Sequence, residues 1–506
     1  MGETILTNFF EREKISNNEE VIIFAEDIEY NFEKFNDLSS RLATGIKLMG
    51  IKKGENVGLL MPNIPEFLIS YYGILKSGCV VVPINILSKI DDIKYIIRKS
   101  CIKCLIYWSK FENKIYECLK TSREKIRTIT TGVPDIIKSE KLQDILEGNW
   151  PAGFDPFIKD SDPAVIQFTS GTSGNSKGAV LTHRNLYEAA RIVAEIFRYS
   201  PEDRILASLP LFHPFAQSFI LNSSIVAGSK IILHQRFDPE KIIESFLKEK
   251  ITIFVGVPSM FKFLLKLAPE KRNCLDSLRC FISSGGKFSS RELIEFEEMY
   301  KKPILEAYGT AETFFVTSFN RLYGTRKPGS VGFQPEKIDI KVVNQEGEEV
   351  FPNEVGEITV KGVTVSQYYY NSPEETNRNL KKGWLYTGDM GKIDLDGFLY
   401  PVDRKEDIIK KGGFIVYPKE VEEIIYENEK VKEAAIIGIP DKDLYQEVKA
   451  FVVLKDNEVM NPEELIEFCK QRLPNYKAPK YVEFLDKLPK NYSGKILKRL
   501  LKKPAS

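Results

Sequence analysis

Short apolar runs alternate with helix-like stretches over most of this 506-residue chain. One unit is especially legible. Asp238-Pro239-Glu240 has the marks of a helix start: an N-cap acid, proline at the first helical position and an acid in the first turn. Ile242, Ile243, Phe246 and Leu247 then fall on one helical face. Ile251 to Val255 reads as a buried strand. Behind Pro258, the residues Met260, Phe261, Phe263, Leu264 and Leu265 read as a second helix. Repeated units of this kind imply an α/β architecture with parallel strands.

Between 325 and 402 the texture changes. Ile338 to Val343 and Glu357 to Val360 alternate around the turns N-Q-E-G-E-E and P-N-E-V-G, which predicts antiparallel strands. The final stretch predicts a small α+β domain. It has a helix over 418–428, strands over 434–439 and 449–454, and a helix capped by Asn461-Pro462-Glu463. The charged joint D-R-K-E-D, 403–407, has no apolar face and precedes it. The predicted organisation is a large multi-subdomain N-terminal α/β domain with a β-rich section over 1–403, and a small mobile α+β domain over 404–506.

Composition narrows the function classes. Lys plus Arg (72) nearly equals Asp plus Glu (71), and a formal charge of +1 argues against a dedicated nucleic-acid binder. Seven cysteines are too few for a disulfide scaffold of this length and read as reduced thiols in a cytoplasmic protein. Cys101-x-x-Cys104 has no second pair and no nearby histidine, so it reads as buried thiols and not as a zinc site. The N-terminus has no basic, apolar leader pattern, and no apolar run is long enough to span a membrane.

The loop T-S-G-T-S-G-N-S-K-G, 169–178, lies between the apolar runs Ala164–Phe168 and Ala179–Leu181. Glycines let backbone N–H groups converge on an anion, hydroxyls add donors and Lys177 adds a charge. This is chemistry for a triphosphate. It is not a Walker A loop, because Lys177 is preceded by Ser176 and followed by Gly178.

Four further motifs follow in order: Y-G-T-A-E-T (308–313), Y-T-G-D (386–389), D-R-K-E-D-I-I-K-K-G-G (403–413) and S-G-K-I-L-K-R (493–499). Softer matches are M-P-N-I-P-E-F (61–67), G-I-L-K-S-G-C-V-V-V-P-I-N (73–85) and L-P-L-F-H (209–213). Together they resemble the adenylate-forming superfamily, most closely its fatty-acyl-CoA synthetases, over nearly the whole chain. The resemblance implies ATP-dependent activation of a carboxylic acid to an acyl-AMP, then transfer to the thiol of CoA, with Mg²⁺ assisting.

By the same resemblance, Thr169, Ser170, Gly171, Thr172, Ser173, Gly174 and Lys177 hold the phosphates. Glu312, with Thr169, holds the magnesium. Tyr308, Gly309 and Thr310 meet the adenine side, with Gly285 and Gly286 allowing close approach. Asp389 and Arg404 reach the ribose. Lys495 bridges carboxylate and α-phosphate, and His213 lies beside the carboxylate. Glu406 is the hinge for the second half-reaction, Lys410 acts in the thiol step, and Lys411, Gly412 and Gly413 line the CoA channel. The acyl pocket is drawn from Phe212, Phe215, Val255, Gly256, Val257, Ser283, Ser284 and Val316. That apolar set predicts a medium- or long-chain fatty acid, with an aryl acid as the alternative substrate and an acyl-carrier protein as the alternative acceptor. A non-catalytic nucleotide- or acyl-binding relative is the alternative of another class. The assembly expected is a monomer or homodimer.

Four positions depart from the family pattern. Ala311 replaces a threonine before Glu312, removing a hydroxyl near the α-phosphate. Lys287 follows Gly285-Gly286 where a small residue is usual. Glu406 stands where relatives carry Asp or Lys, and Ser176 where many carry Pro. The basic residues around Lys495, among them Lys490, Lys498 and Lys502, read as a solvated face.

Overall fold

A computed structural model of the chain describes residues 21–25, 28–120, 125–148, 150, 156–169, 176–267, 275–286, 288, 290–490 and 496–502. Ser170, Gly171, Thr172, Ser173, Gly174, Lys287 and Lys495 lie outside the described residues. The described chain divides into two compact units. One holds residues up to Ile340 and Val360–Leu385. The other holds Lys341–Thr359 and everything from Tyr386 onward. The D-R-K-E-D joint falls within the second unit, because Leu399–Arg404 is a strand paired antiparallel with Trp384–Ile393.

The first unit contains two eight-stranded sheets. In one, Ile304–Tyr308, Cys280–Ser283, Ile253–Gly256, Arg204–Ala207 and Lys230–Leu233 lie side by side, all parallel. Parallel neighbours need crossovers, and the helices Pro239–Glu249, Pro258–Leu265 and Ser290–Tyr300 lie between successive strands. Phenylalanines fill the layer between sheet and helices. Phe281 and Phe296 meet edge to face at 4.7 Å, and Phe254 meets Phe261 at 5.4 Å.

The legible helix forms as Pro239–Glu249, with the Asp238 side chain accepting from the Lys241 N–H. Ile242 and Phe246 are buried, but Leu247 is 62% exposed. One residue past Phe246 is a turn of about 100° away from the core. The strand after it begins at Ile253, two residues later than expected. Thr252 is drawn off instead, its hydroxyl donating to Asp203 Oδ1 at 2.7 Å. Arg279 holds the same carboxylate through Nε at 2.9 Å and a terminal nitrogen at 3.0 Å.

The second sheet runs Tyr368–Tyr369, Gly178–Thr182, Pro163–Phe168, Val80–Pro83, Asn56–Leu60, Cys104–Tyr107, Arg127–Thr130 and Glu140–Lys141. It is parallel from Pro163–Phe168 outward, while Gly178–Thr182 is antiparallel to both its neighbours. Cys104 is fully buried, and burial pushes its thiol up to about 12. Cys101 differs from the expectation: it is partly exposed, at φ 51, in the turn before that strand. The six cysteines among the described residues are free, and no described cluster of His, Cys, Asp or Glu could hold a metal alone.

In the second unit Val431–Asp441 pairs antiparallel with Tyr445–Leu454, which pairs parallel with Tyr481–Phe484. Helices Pro418–Tyr426 and Pro462–Lys470 pack Val421, Ile425, Leu465 and Cys469 onto them. Asn461 caps the second helix, accepting from Glu464 N–H at 2.9 Å. The charged joint is less solvated than its composition implies. Asp403 is 3% exposed and accepts from the N–H groups of Arg404 and Lys419, both at 2.8 Å. The basic tail is likewise paired: Lys498 with Glu422 at 2.8 Å, Lys490 with Glu433 at 2.5 Å and Lys502 with Asp407 at 3.3 Å. Among the described residues no helix is long and apolar enough to cross a membrane.

Candidate active site

Parallel pairing brings the carboxyl ends of four neighbouring strands to one edge of the first sheet. Ser208–His213, Val257, Ser284–Gly286 and Gly309–Val316 all leave from that edge, the place where open α/β sheets take ligands. Most of the acyl and adenine residues named from sequence in this unit are therefore brought together by one topological fact.

The L-P-L-F-H segment is held by three side-chain amides from elsewhere. Asn63 donates to Leu209 O and accepts from Leu211 N–H, both at 2.8 Å. Gln217 donates to Leu211 O at 3.0 Å, and Gln167 to Phe212 O at 3.2 Å. Sequence reasoning missed this cradle. Its one signal is Gln167, a polar residue inside an apolar strand, which a buried strand retains only when its amide finds partners.

His213 caps the short helix Pro214–Ala216, its Nδ1 accepting from Phe215 N–H at 3.3 Å. Burial lowers its pKa to about 4, so the ring is neutral at pH 7 and carries its proton on Nε2. Its ring meets Phe315 edge-on at 4.9 Å, and Phe215 lies 5.6 Å from Phe315. Phe315 belongs with His213 and Phe215 in this cluster, although no sequence reading named it. Phe314 and Phe315 both adopt left-handed backbone, at φ 50 and 63, costly for bulky residues. A bond from Phe315 N–H to Thr310 O at 2.8 Å holds the turn.

That turn answers the question raised by Ala311. The Thr313 hydroxyl is spent on the Thr310 backbone, accepting from its N–H at 3.0 Å and donating to its O at 3.1 Å. The Thr310 hydroxyl is buried with no partner, so it is the one available to replace the missing group. Of the two serines, Ser284 spends its hydroxyl on Ala307 O at 2.7 Å, whereas Ser283 Oγ is buried and unpartnered. Gly285, at φ 77, and Gly286 are exposed beside Val257 and Pro258. Val255 and Val316 are fully buried, and Gly256 packs against Phe261 and Met260.

The glycine-rich loop closes an antiparallel hairpin, with Phe168 opposite Gly178 and Thr169 N–H donating to Lys177 O at 2.8 Å. Strand Gly178–Thr182 follows it directly, with no intervening helix. Tyr369 lies opposite Ala179 on the next strand, and its hydroxyl donates to Glu312 Oε1 at 2.8 Å. Burial, reinforced by Glu312, pushes the Tyr369 phenol far up, so it remains a donor. Lys177 Nζ lies 5.9 Å over the Tyr369 ring and 2.5 Å from Glu375 Oε2. Tyr369 and Glu375 were not found from sequence, and both sit in a polar, tyrosine-rich stretch without a motif.

In the second unit, cross-strand register sets Asp389 opposite Arg404, with Nε 2.8 Å from Oδ1. Glu406 lies in the exposed turn after that strand. Gly412 and Gly413, at φ 55 and 86, form the two-residue turn between Ile409–Lys411 and Phe414–Val416. Strand alternation separates the two lysines before it. Lys410 is exposed, while the Lys411 ammonium is turned inward onto Glu447.

His183 is fully buried at the start of helix His183–Ile196, with both ring nitrogens unpartnered. Burial lowers its pKa from 6.5 to about 4. Between those values the unfolded chain binds the extra proton, so this group's contribution to stability is complete above pH 6.5 and is lost as pH falls toward 4. The expected loss is up to about 3 kcal/mol. Urea unfolding at pH 7 and near pH 4.5 checks it: His183→Gln should show a clearly smaller stability difference between the two pH values than the wild type. Equal differences would remove His183 from the acid response.

Comparisons with known proteins identify the family. The AMP-binding enzyme family matches residues 9–370, and the AMP-binding enzyme C-terminal domain matches 420–495. The chain belongs to the AMP-binding enzyme family, the adenylate-forming class that its motifs resemble. It is 34% identical over 490 residues to a long-chain-fatty-acid–CoA ligase of Bacillus subtilis, covering 91% of this chain and 87% of that one. The crystal structure of ATP-bound MatB from Rhodopseudomonas palustris superposes with a TM-score of 0.91 at 27% identity, covering 99% and 98% of the two chains. O-succinylbenzoate coenzyme A synthetase from Bacillus subtilis, in complex with ATP and magnesium ion, gives 0.87 at 29% identity, covering 98% and 99%.

Proposed function

We propose that the protein is an AMP-forming acyl-CoA synthetase acting on a medium- or long-chain fatty acid. The observation that carries the proposal is the linkage of Lys177, Tyr369 and Glu312 beside the ring cluster of His213, Phe215 and Phe315. Cation, donor and carboxylate suit a metal-bound polyphosphate, and the ring cluster suits an acyl chain.

A substrate carboxylate oxygen attacks the α-phosphorus of ATP, the bond to the bridging oxygen breaks, and pyrophosphate leaves. Lys177 and the Thr169–Lys177 loop hold the phosphates, and Lys495 offsets the repulsion between the two anions. The neutral His213 offers its Nε2–H to the carboxylate or to the acyl-AMP carbonyl. Asp389 and Arg404 take the ribose. The sulfur of CoA then attacks the acyl carbonyl and AMP leaves, with Glu406 as the hinge between the steps and Lys410 and the Gly412-Gly413 turn serving the second.

A magnesium ion would be held by Glu312, whose Oε1 is taken by Tyr369 and whose Oε2 remains, with the Thr169 hydroxyl as a second oxygen donor; hard oxygen donors of this kind suit that ion. When bound, the ion neutralises charge on the phosphates. The ring cluster around His213 also favours an aryl acid as the second reading.

Acid-dependent exchange of labelled pyrophosphate into ATP, across straight-chain, aryl and dicarboxylic acids, tests the proposal. AMP release with CoA or an acyl-carrier protein then identifies the acceptor. Exchange strongest with medium or long straight chains is expected, and an enzyme that exchanges with no acid would refute the assignment.

A further inference from the structure

Lys177 is the one lysine of the glycine-rich loop, and it is already engaged. Its ammonium lies 2.5 Å from Glu375 Oε2, with both side chains only 23% exposed. Glu375 sits on helix Pro373–Asn379, immediately after the strand that carries Tyr369. The helix is strapped to that strand, since Tyr369 N–H donates to Thr376 Oγ1 at 3.0 Å. One short segment therefore delivers two groups to the phosphate side: the phenol that binds Glu312, and a carboxylate aimed at Lys177. Glu375 has support of its own, accepting from Arg378 at 3.1 Å and Asn379 at 3.2 Å. The hydrogen bond and charge of Lys177 also hold its carboxyl below the ordinary range. A carboxylate and a phosphate oxygen make the same kind of charge-assisted bond to an ammonium. Both cannot take the same ammonium fully.

We infer that Glu375 competes with the outer phosphates of ATP for Lys177, and so sets nucleotide affinity at this site. The inference rests on the proposed adenylating function. Without Glu375 the ammonium is free for phosphate, and its loop position is still held by the hairpin. With Glu375, each binding event must first open an ion pair. A half-buried pair of this geometry corresponds to about a fivefold effect on binding. The effect is confined to ligands that reach Lys177. ATP and pyrophosphate sense it, whereas AMP lacks the outer phosphates and does not.

The test is calorimetric titration of the full chain with ATP, pyrophosphate and AMP in the presence of magnesium. Glu375→Gln should bind ATP and pyrophosphate about fivefold more tightly and AMP within twofold of wild type. Glu375→Asp, which keeps the charge, should lie near wild type, as should Glu374→Gln, a change to the exposed neighbour on the same helix. Unchanged melting temperatures establish that each variant folds. Equal or weaker ATP binding by Glu375→Gln would mean that Glu375 positions Lys177 for phosphate and does not compete for it, which overturns the inference while leaving the adenylating function standing. Equal tightening of AMP would also overturn it. Absence of ATP binding by every form, wild type included, would refute the adenylating function and this inference with it.

Discussion

Glu312→Gln should reduce acid-dependent pyrophosphate exchange by about 10²–10³-fold, the usual cost of removing one preorganised charge from a phosphoryl-transfer site. The substitution is nearly isosteric. A glutamine oxygen still accepts from Tyr369, whose bond to Glu312 is 2.8 Å, and the backbone bond from Ser366 N–H to residue 312 O, at 2.7 Å, is untouched. The fold should therefore survive, and the loss should appear chiefly as a raised magnesium requirement and a lowered turnover. Tyr369→Phe keeps the carboxylate and loses only its donor, so a smaller loss is expected. Exchange rates measured over a magnesium titration decide the matter. A Glu312→Gln enzyme within threefold of wild type would take the carboxylate out of the phosphate site.

Gly309→Ala is the second large effect, and it acts through space. A Cβ at this position would stand 2.2 Å from the Phe315 carbonyl carbon and 2.4 Å from its Cα and O. These are backbone atoms, so no rotamer change relieves the clash. They also belong to a turn with little slack, since Phe314 and Phe315 are both in left-handed conformations and Thr310 and Thr313 brace each other across it. The turn must open, and Phe315 must then leave His213 and Phe215. Overpacking of this kind costs about 2–3 kcal/mol, which lowers the melting temperature by roughly 3–4 °C for a unit of this size. Thermal melts and ATP titration of the variant check both consequences. A melt within one or two degrees of wild type, with ATP binding intact, would show that the loop accommodates the methyl group.

Where apolar spacing and a local cap agree, elements were legible in advance. The helix behind Asp238 and the helix behind Asn461 form at the expected caps, because capping and periodicity are settled within a few residues. Edges went astray where a distant partner intervened. Thr252 leaves its strand for Asp203, and Asp403 is buried by N–H groups from its own turn and the following helix. The basic tail read as a solvated face because its acids, Glu422, Glu433 and Asp407, lie far away in sequence.

By itself the sequence determined the class of reaction, because motif chemistry is local: glycines that free backbone donors, a lysine, a carboxylate at fixed spacing. The tertiary structure alone decided which charges those groups meet. Strand register put Tyr369 beside Lys177, and the following helix turned Glu375 onto the same ammonium. Alternation turned Lys411 away from Lys410 and onto Glu447. Packing of Phe215 and Phe315 around His213 made it a neutral ring. Electrostatic partnership falls off within ångströms of space, whereas sequence distance carries almost no information about it, so a motif can name a lysine but not the carboxylate that competes for it.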